Sequence, residues 1–341
     1  MFKKINLLLI SFFIILFSSG CSELTTISEE WNSRKNEFDY ESYKLSLSVP
    51  SDSDQITFGA VMSFCSKASE LSDGKIQINI DICDNPFEKI TNNETDIALI
   101  RDLDIIRKEP KLNFVNMPFL FDSMEEYLSF ISHENDKFGL SKYISNKYNI
   151  EQIGVYINSF AYMLNRNHFV NGAIFYTSIA VLENETYPVA YGTLGLRDVL
   201  VGKQDELYVA FNEKRAKYCE INTHSIVSDE ALETASSIGL TEHKYYSDIM
   251  YCNKKSELPS YVILTLREAF AYTIESQNRL RLDEKEQFVA SLTERNDMKI
   301  YTYDFFKKGR QEAKLSYQKY YKDLMIDENI WDELYEAYIK S

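Results

Sequence analysis

The chain has 341 residues, enough for two lobes at roughly 100–200 residues per domain, and its 45% hydrophobic and 26% charged content excludes wholesale disorder. Lys and Arg number 37 against 52 Asp and Glu, a net charge of −15, so the chain lacks the basic face that neutralises nucleic-acid phosphates. Eleven Gly and six Pro exclude collagen-like or glycine-linker chains, and four His leave little material for a His-based metal site.

Lys3 and Lys4 precede an apolar run from Ile5 to Phe17, broken by Asn6 and Ser11, and then Ser18, Ser19, Gly20 and Cys21. A positive start, a short apolar stretch and small residues at its end describe a secretory signal. The run is shorter than the ~20 apolar residues of a membrane span. Small residues just before Cys21 resemble the lipobox of bacterial lipoproteins, with one departure: Ser18 stands where that motif usually has Leu. The resemblance implies cleavage after residue 20, lipidation of Cys21, and an extracytoplasmic body held on the lipid membrane by its acyl chains. An ordinary signal peptide with a chance Cys is the plainer reading. Residues 22–40 are polar and without a clear period, and read as a tether. Cys65, Cys83, Cys219 and Cys252 form no C-x-x-C pair; buried thiols and disulfides both remain open in an exported chain.

Tyr43–Val49 alternates as a half-buried strand does, and Pro50 ends it. Ser51, Asp52, Ser53 and Asp54 offer N-caps for a helix over 55–72 that turns Ile56, Phe58, Val61, Phe64 and Cys65 toward a core. Asp73-Gly74 is a turn, 75–81 a second alternating strand, and 96–100 a short apolar strand. This order is the βαβ pattern of a parallel α/β sheet. Two helices follow over 123–147, then a strand over 152–157. The stretch 160–205 has no readable period. Helices are expected over 205–217 and 228–238, and a returning strand over 248–252. A long helix covers about 259–294, with Val262, Leu266, Phe270 and Ile274 on one face. A strand over 299–303 and helices over 304–324 and 328–340 complete the chain.

Several stretches carry a family resemblance. Gly74-Lys75-Ile76 precedes the second strand, and Glu94-Thr95-Asp96-Ile97-Ala98 opens the third. Met117-Pro118-Phe119-Leu120-Phe121 is the most specific. Glu206-Leu207-Tyr208-Val209-Ala210, Cys219–Thr223, Leu240–His243 with Tyr245-Tyr246, and the tail from Lys299 to Ile339 follow in order. Over about 41–340 the chain resembles the DctP-type solute-binding proteins of tripartite ATP-independent periplasmic (TRAP) transporters. The resemblance implies a two-lobed α/β periplasmic-binding-protein-like fold with a hinge and a long lobe-spanning helix. One lobe would take 41–155 plus about 248–285, the other 156–247 plus about 286–341. It also implies the function: capture of a small-molecule solute between the lobes and delivery to membrane permease subunits.

That family holds carboxylate ligands with an Arg in a strand of the second lobe. Ungapped spacing between Asn165 and Glu206 puts the counterpart at Val181, with no basic residue in 179–183. A second Arg of the family corresponds to Ala161. Neither side chain makes the charge-assisted bonds a carboxylate needs. Three readings stay open: a neutral or apolar ligand, another base such as Arg101, Arg166, Arg197 or Lys203, or a surface lipoprotein that keeps the fold for a protein partner. The Tyr- and Phe-rich matched stretches favour the first.

The candidate ligand-binding residues are Ser51, Asp52, Arg101, Asn158, Tyr162, Tyr191 and Asn222, with Ser53 and Asp102 beside them. Each has a structural alternative: helix capping for Ser51 to Ser53, an ion pair for Arg101, turn or core hydrogen bonding for Asn158, Tyr162 and Asn222, core packing for Tyr191. His243 reads as a structural residue. No G-x-S-x-G, H-E-x-x-H, P-loop or G-x-G-x-x-G motif occurs, so neither an enzyme nor a cofactor is expected.

Overall fold

The computed structural model describes residues 41–109, 112, 115, 117–132, 140–170, 172, 177–182, 192, 194–201, 204–224, 229–294, 298–320, 331, 332 and 336. Cys21, the tether, Tyr191 and Lys203 lie outside the described residues, as does most of the helix expected over 328–340.

The strands are β1 Tyr43–Pro50, β2 Ile76–Cys83, β3 Ile97–Arg101, β4 Ile150–Asn165, β5 Ser178–Leu182, β6 Arg197–Val201, β7 Tyr218–Asn222, β8 Ser237–Gly239, β9 Tyr245–Asn253 and β10 Lys299–Tyr301. The helices are α1 Gln55–Leu71, α2 Pro86–Thr91, α3 Asp102–Lys108, α4 Met124–Ile131, α5 Leu140–Tyr148, α6 Gln204–Asn212, α7 Asp229–Thr234, α8 Ser260–Thr293 and α9 Lys307–Tyr320. The sheet runs β2-β1-β3-β9-β4-β7-β5-β6, with β8 also on β4 and β10 on β8. β1 pairs in parallel with β2 and β3, whereas β9 is antiparallel to both β3 and β4. The result is a two-lobed mixed α/β fold in which β4 and β9 run from one lobe into the other.

Local chemistry explains the first lobe. Asp54 caps α1 by accepting from the Thr57 amide at 2.8 Å. Thr57, Ala60, Val61, Phe64 and Ala68 form its buried stripe. Asp73 and Gly74 end it at φ 49° and 81°, and the Gly74 amide returns to Ser69 O at 2.8 Å. The Pro-Phe-Leu-Phe stretch is buried. The Phe119 amide donates to His243 O at 2.7 Å and Tyr317 Oη donates to Pro118 O at 2.7 Å. This motif therefore ties the crossing segment and α9 together.

Helix α8 has 34 residues, about 51 Å at 1.5 Å per residue. Its N-terminal part puts Val262, Leu266, Ala269 and Phe270 into the first-lobe core. Farther along, Phe288 stacks on Tyr162 with ring centroids 5.8 Å apart. The helix crosses β4 closely at Gly154, where a Cβ would lie 2.2 Å from the Phe270 ring.

Several expectations shift, among them the helix expected over 205–217, which ends at Asn212. The strand expected over 152–157 extends through Ile150–Asn165, because it pairs with β9, β7 and β8 in turn. The helix expected over 228–238 stops at Thr234; Ser237–Gly239 instead fill a buried slot between β4 and β10. The unread stretch 160–205 contains β5 and β6. The helix expected from 304 starts as a 3₁₀ turn over Tyr303–Phe306 before α9. Cys65, Cys83, Cys219 and Cys252 are all free thiols. Among the described residues no helix is long and apolar enough to cross a membrane.

Candidate functional site

A cavity of about 250 Å³ opens where the lobes meet. The turn after β1 contributes Asp52, Ser53 and Asp54, and the β3–α3 junction contributes Arg101, Asp102 and Leu103. Asn158 and Ser159 come from β4, Asn222 and His224 from the end of β7, and Tyr246, Ser247 and Asp248 from β9. Strand ends and a strand crossing supply these side chains, the usual place for ligands in open α/β folds. β4 contributes two consecutive residues because its register shifts between Ile157 and Ser159, a bulge that breaks the strict two-residue alternation.

The walls are polar and acidic. Asp248 is 2% exposed; its Oδ2 accepts from Asn158 Nδ2 at 2.7 Å and Thr57 Oγ1 at 3.3 Å. Burial pushes its carboxyl up, opposed by Asn158 and by the charges of Arg101 and Arg281. Asp102 is 4% exposed and its Oδ2 accepts from Tyr127 Oη at 2.5 Å and the Ser247 amide at 3.1 Å. Burial, with the charge of Asp248 added, pushes Asp102 up to about 7 against the donors that favour its ionised form. Arg101 is engaged with Asp52 at the rim.

Behind this wall α8 inserts Arg281, whose side chain is fully buried. Its Nη1 and Nη2 meet Asp54 Oδ2 and Oδ1 at 2.7 and 2.8 Å, a bidentate pair, and Nη2 donates to Thr57 Oγ1 at 2.7 Å. His224 Nδ1 is 3.0 Å from Asp54 Oδ2, and its Nε2 lies 2.8 Å from Asn158 O and 3.3 Å from Glu284 Oε2. Burial alone would raise Asp54, but the Arg281 fork and the Thr57 amide hold it below the ordinary carboxylate range. Asp54, His224 and Glu284 have ligand atoms within 4.8 Å of one another, the spacing of a metal site. Arg281 Nη1 stands among them, 3.0 Å from His224 Nε2 and 3.1 Å from Glu284 Oε2, so a guanidinium already fills the place of a cation.

Of the residues singled out from sequence, Asp52, Ser53, Arg101, Asp102, Asn158 and Asn222 converge on the cavity. Ser51 does not line it: its hydroxyl donates to Asp84 at 2.6 Å in an exposed turn. Tyr162 does not line it either; it is buried against Phe288 and its hydroxyl has no partner. Tyr162 is a candidate by family position alone, and the register shift between Ile157 and Ser159 is a change in strand facing that such a match does not register. Arg166 and Arg197 are off the cavity, and Tyr191 and Lys203 lie outside the described residues. Val181 is sealed in the second-lobe core on β5. Ala161 packs with Leu103 and Tyr246 at the lobe junction. His243 is a buried structural residue, 2.9 Å from Glu220 Oε2.

Leu103, His224, Tyr246, Ser247, Asp248 and the Arg281 clamp were not legible as a site. Asp248 left one trace, a lone acid inside the otherwise uncharged run Tyr245–Asn253.

The fold is a two-lobed α/β architecture with a polar cavity at the lobe junction. Solved structures similar to this chain include TRAP periplasmic solute-binding proteins. That of Ochrobactrum anthropi, with its C-terminus bound in the ligand-binding pocket, is 17% identical at a TM-score of 0.69, covering 87% of this chain and 94% of its own. The Rhodobacter sphaeroides protein, in an apo open structure, is 13% identical at a TM-score of 0.71, covering 87% and 98%. The sugar acid binding protein of Advenella mimigardefordensis, in complex with galactonate, is 18% identical at a TM-score of 0.63, covering 89% and 99%. At these identities the likeness establishes the fold. No protein-family model matches the chain, and no curated protein matches it.

Proposed function

We propose that this chain is a lipid-anchored, extracytoplasmic solute-binding protein of the TRAP type. It captures a small molecule between its lobes, closes on it, and delivers it to membrane permease subunits; it binds and does not catalyse. One observation carries the reading: the cavity of about 250 Å³ at the lobe junction, walled by polar side chains from both lobes and from the strands that cross between them. The fold shared with solute-binding proteins supports it. The Lys3–Cys21 segment supports export and lipidation at Cys21. In this reading the lobes are 41–155 with about 248–285, and 156–247 with about 286–341.

Asp52, Arg101, Asn158 and Asn222 are the ligand-contacting residues in this reading, joined by Asp102, Tyr246 and Asp248. The ligand is a polar molecule other than a simple carboxylate in this reading, because the positions that the family resemblance assigns to its Arg anchors, Val181 and Ala161, carry no basic side chain, and Leu103 and Tyr246 are the main apolar surfaces of the wall. A second reading, a surface lipoprotein that binds a protein partner, draws on the Asp54–Arg281 pair, in which the protein's own carboxylate takes an Arg fork.

Mass spectrometry of small molecules released on denaturing purified 22–341 tests the proposal. A stoichiometric polar compound supports capture. If nothing is released, and small-angle scattering shows no compaction across a panel of polar solutes, the partner-binding reading replaces it.

A further inference from the structure

Resting on the solute-capture reading, we infer that the cavity selects a solute bearing a positively charged nitrogen, an ammonium or guanidinium, which docks between Asp248 and Asp102. The assignment follows from a charge inventory of the wall. Asp52 is matched by Arg101 and Asp54 by Arg281. Asp102 and Asp248 are not matched in this way: each accepts hydrogen bonds from neutral donors only among the described residues. Among the described residues Asp248 accepts both of its hydrogen bonds on Oδ2, which leaves Oδ1 to the cavity that this 2% exposed residue lines. A carboxylate oxygen that opens onto a cavity is an acceptor site for a charged donor.

The same wall already holds one cationic nitrogen. Arg281 sits behind it, and Thr57 Oγ1 links the two systems, accepting from Arg281 Nη2 at 2.7 Å and lying 3.3 Å from Asp248 Oδ2. A carboxylate solute would meet the carboxyl groups of Asp248 and Asp102, with Arg101 free to turn to it only by leaving Asp52. Ionised Asp248 or Asp102 repels a carboxylate and attracts a cationic nitrogen, which gives the cavity its discrimination.

Three four-carbon probes separate the possibilities on purified 22–341: 1,4-diaminobutane, erythritol and succinate, at matched ionic strength, by isothermal titration and thermal shift. The diamine is expected to bind and raise Tm, with at least tenfold higher affinity than succinate. Asp248→Asn is expected to weaken diamine binding at least tenfold; Asp102→Asn is the second variant, and circular dichroism checks the fold of both. Diamine binding unchanged in both folded variants overturns the assignment, as does failure of the diamine to bind at millimolar concentration. Succinate or erythritol binding more tightly, with compaction in small-angle scattering, overturns the charge assignment while leaving solute capture standing.

Discussion

Arg281, in the middle of the lobe-spanning helix, makes a two-pronged ion pair with Asp54, the N-cap of α1, at 2.7 and 2.8 Å. The pair joins residues 227 positions apart and holds a guanidinium with a fully buried side chain. Removing one partner of a buried pair leaves the other charge uncompensated, which costs about 3–5 kcal/mol. Arg281→Met is therefore expected to destabilise the protein by ~3 kcal/mol, with Asp54 still a third exposed to water. The double variant Arg281→Met/Asp54→Asn should recover part of the loss. Urea unfolding of the three proteins checks this; equal stability of wild type and Arg281→Met would refute the clamp.

Asp102 sets a pH dependence. Its carboxyl lies at about 7 in the fold against an ordinary 3.8. Between those values the native state holds a proton that the unfolded chain has released, so stability falls as pH rises from about 4 to 7 and levels off above. The buried Asp248, also raised, acts in the same direction, while Glu220, held low by Lys244 and His243 against its burial, loses its contribution only below the ordinary Glu value of 4.5. Asp102→Asn removes the Asp102 share, on the order of 4 kcal/mol at pH 8. Denaturation at pH 5 and pH 8 should show the variant gaining on wild type with pH; parallel curves would contradict it.

At Gly154, β4 and α8 approach too closely for a side chain. A methyl there would overlap the Phe270 ring, which is stacked on Tyr156 at a centroid distance of 4.1 Å. Gly154→Ala is expected to cost about 1–3 kcal/mol, as overpacking does in a filled core. A thermal melt is sufficient to measure it.

Site membership can be read from two substitutions. Asn158→Ala removes the amide that donates to Asp248 at 2.7 Å and opens the cavity wall, so solute affinity should fall at least tenfold. Tyr162→Phe removes a hydroxyl with no partner on a buried ring away from the cavity, so affinity should not change. The reverse pattern in titration calorimetry would move the site onto Tyr162.

Lipidation is tested at Cys21. Cys21→Ser is expected to move the protein from the membrane fraction to the soluble extracytoplasmic fraction, with loss of acyl-chain mass from the N-terminal peptide. Retention in the membrane fraction would point to an uncleaved anchor or another attachment.

The first lobe was the legible part of the fold. Tyr43–Pro50, Gln55–Leu71, Ile76–Cys83 and Ile97–Arg101 carry their own periods, caps and turn, and each formed within a residue or two of expectation. The second lobe was harder to read. Ser237–Gly239 is a strand because β4 and β10 flank it, and β5 and β6 pair with each other and with β7 across distant sequence. The site divided in the same way. Asp52, Arg101, Asn158 and Asn222 were marked by their places at strand ends or by family position, whereas Tyr162, also marked by family position, packs on Phe288 off the cavity.

By itself the sequence determined the export-like N-terminus, the acidic balance, the α/β element order of the first lobe and the absence of basic side chains at Val181 and Ala161. These are properties of composition, period and spacing, which need no partner. Tertiary structure alone decided that Asp54, His224, Glu284 and Arg281 meet, and that Asp102 and Asp248 face one cavity with no ion-pair partner among the described residues. Those facts depend on contacts between residues far apart in the chain, and electrostatic interaction falls with distance in space, a quantity that sequence order does not carry.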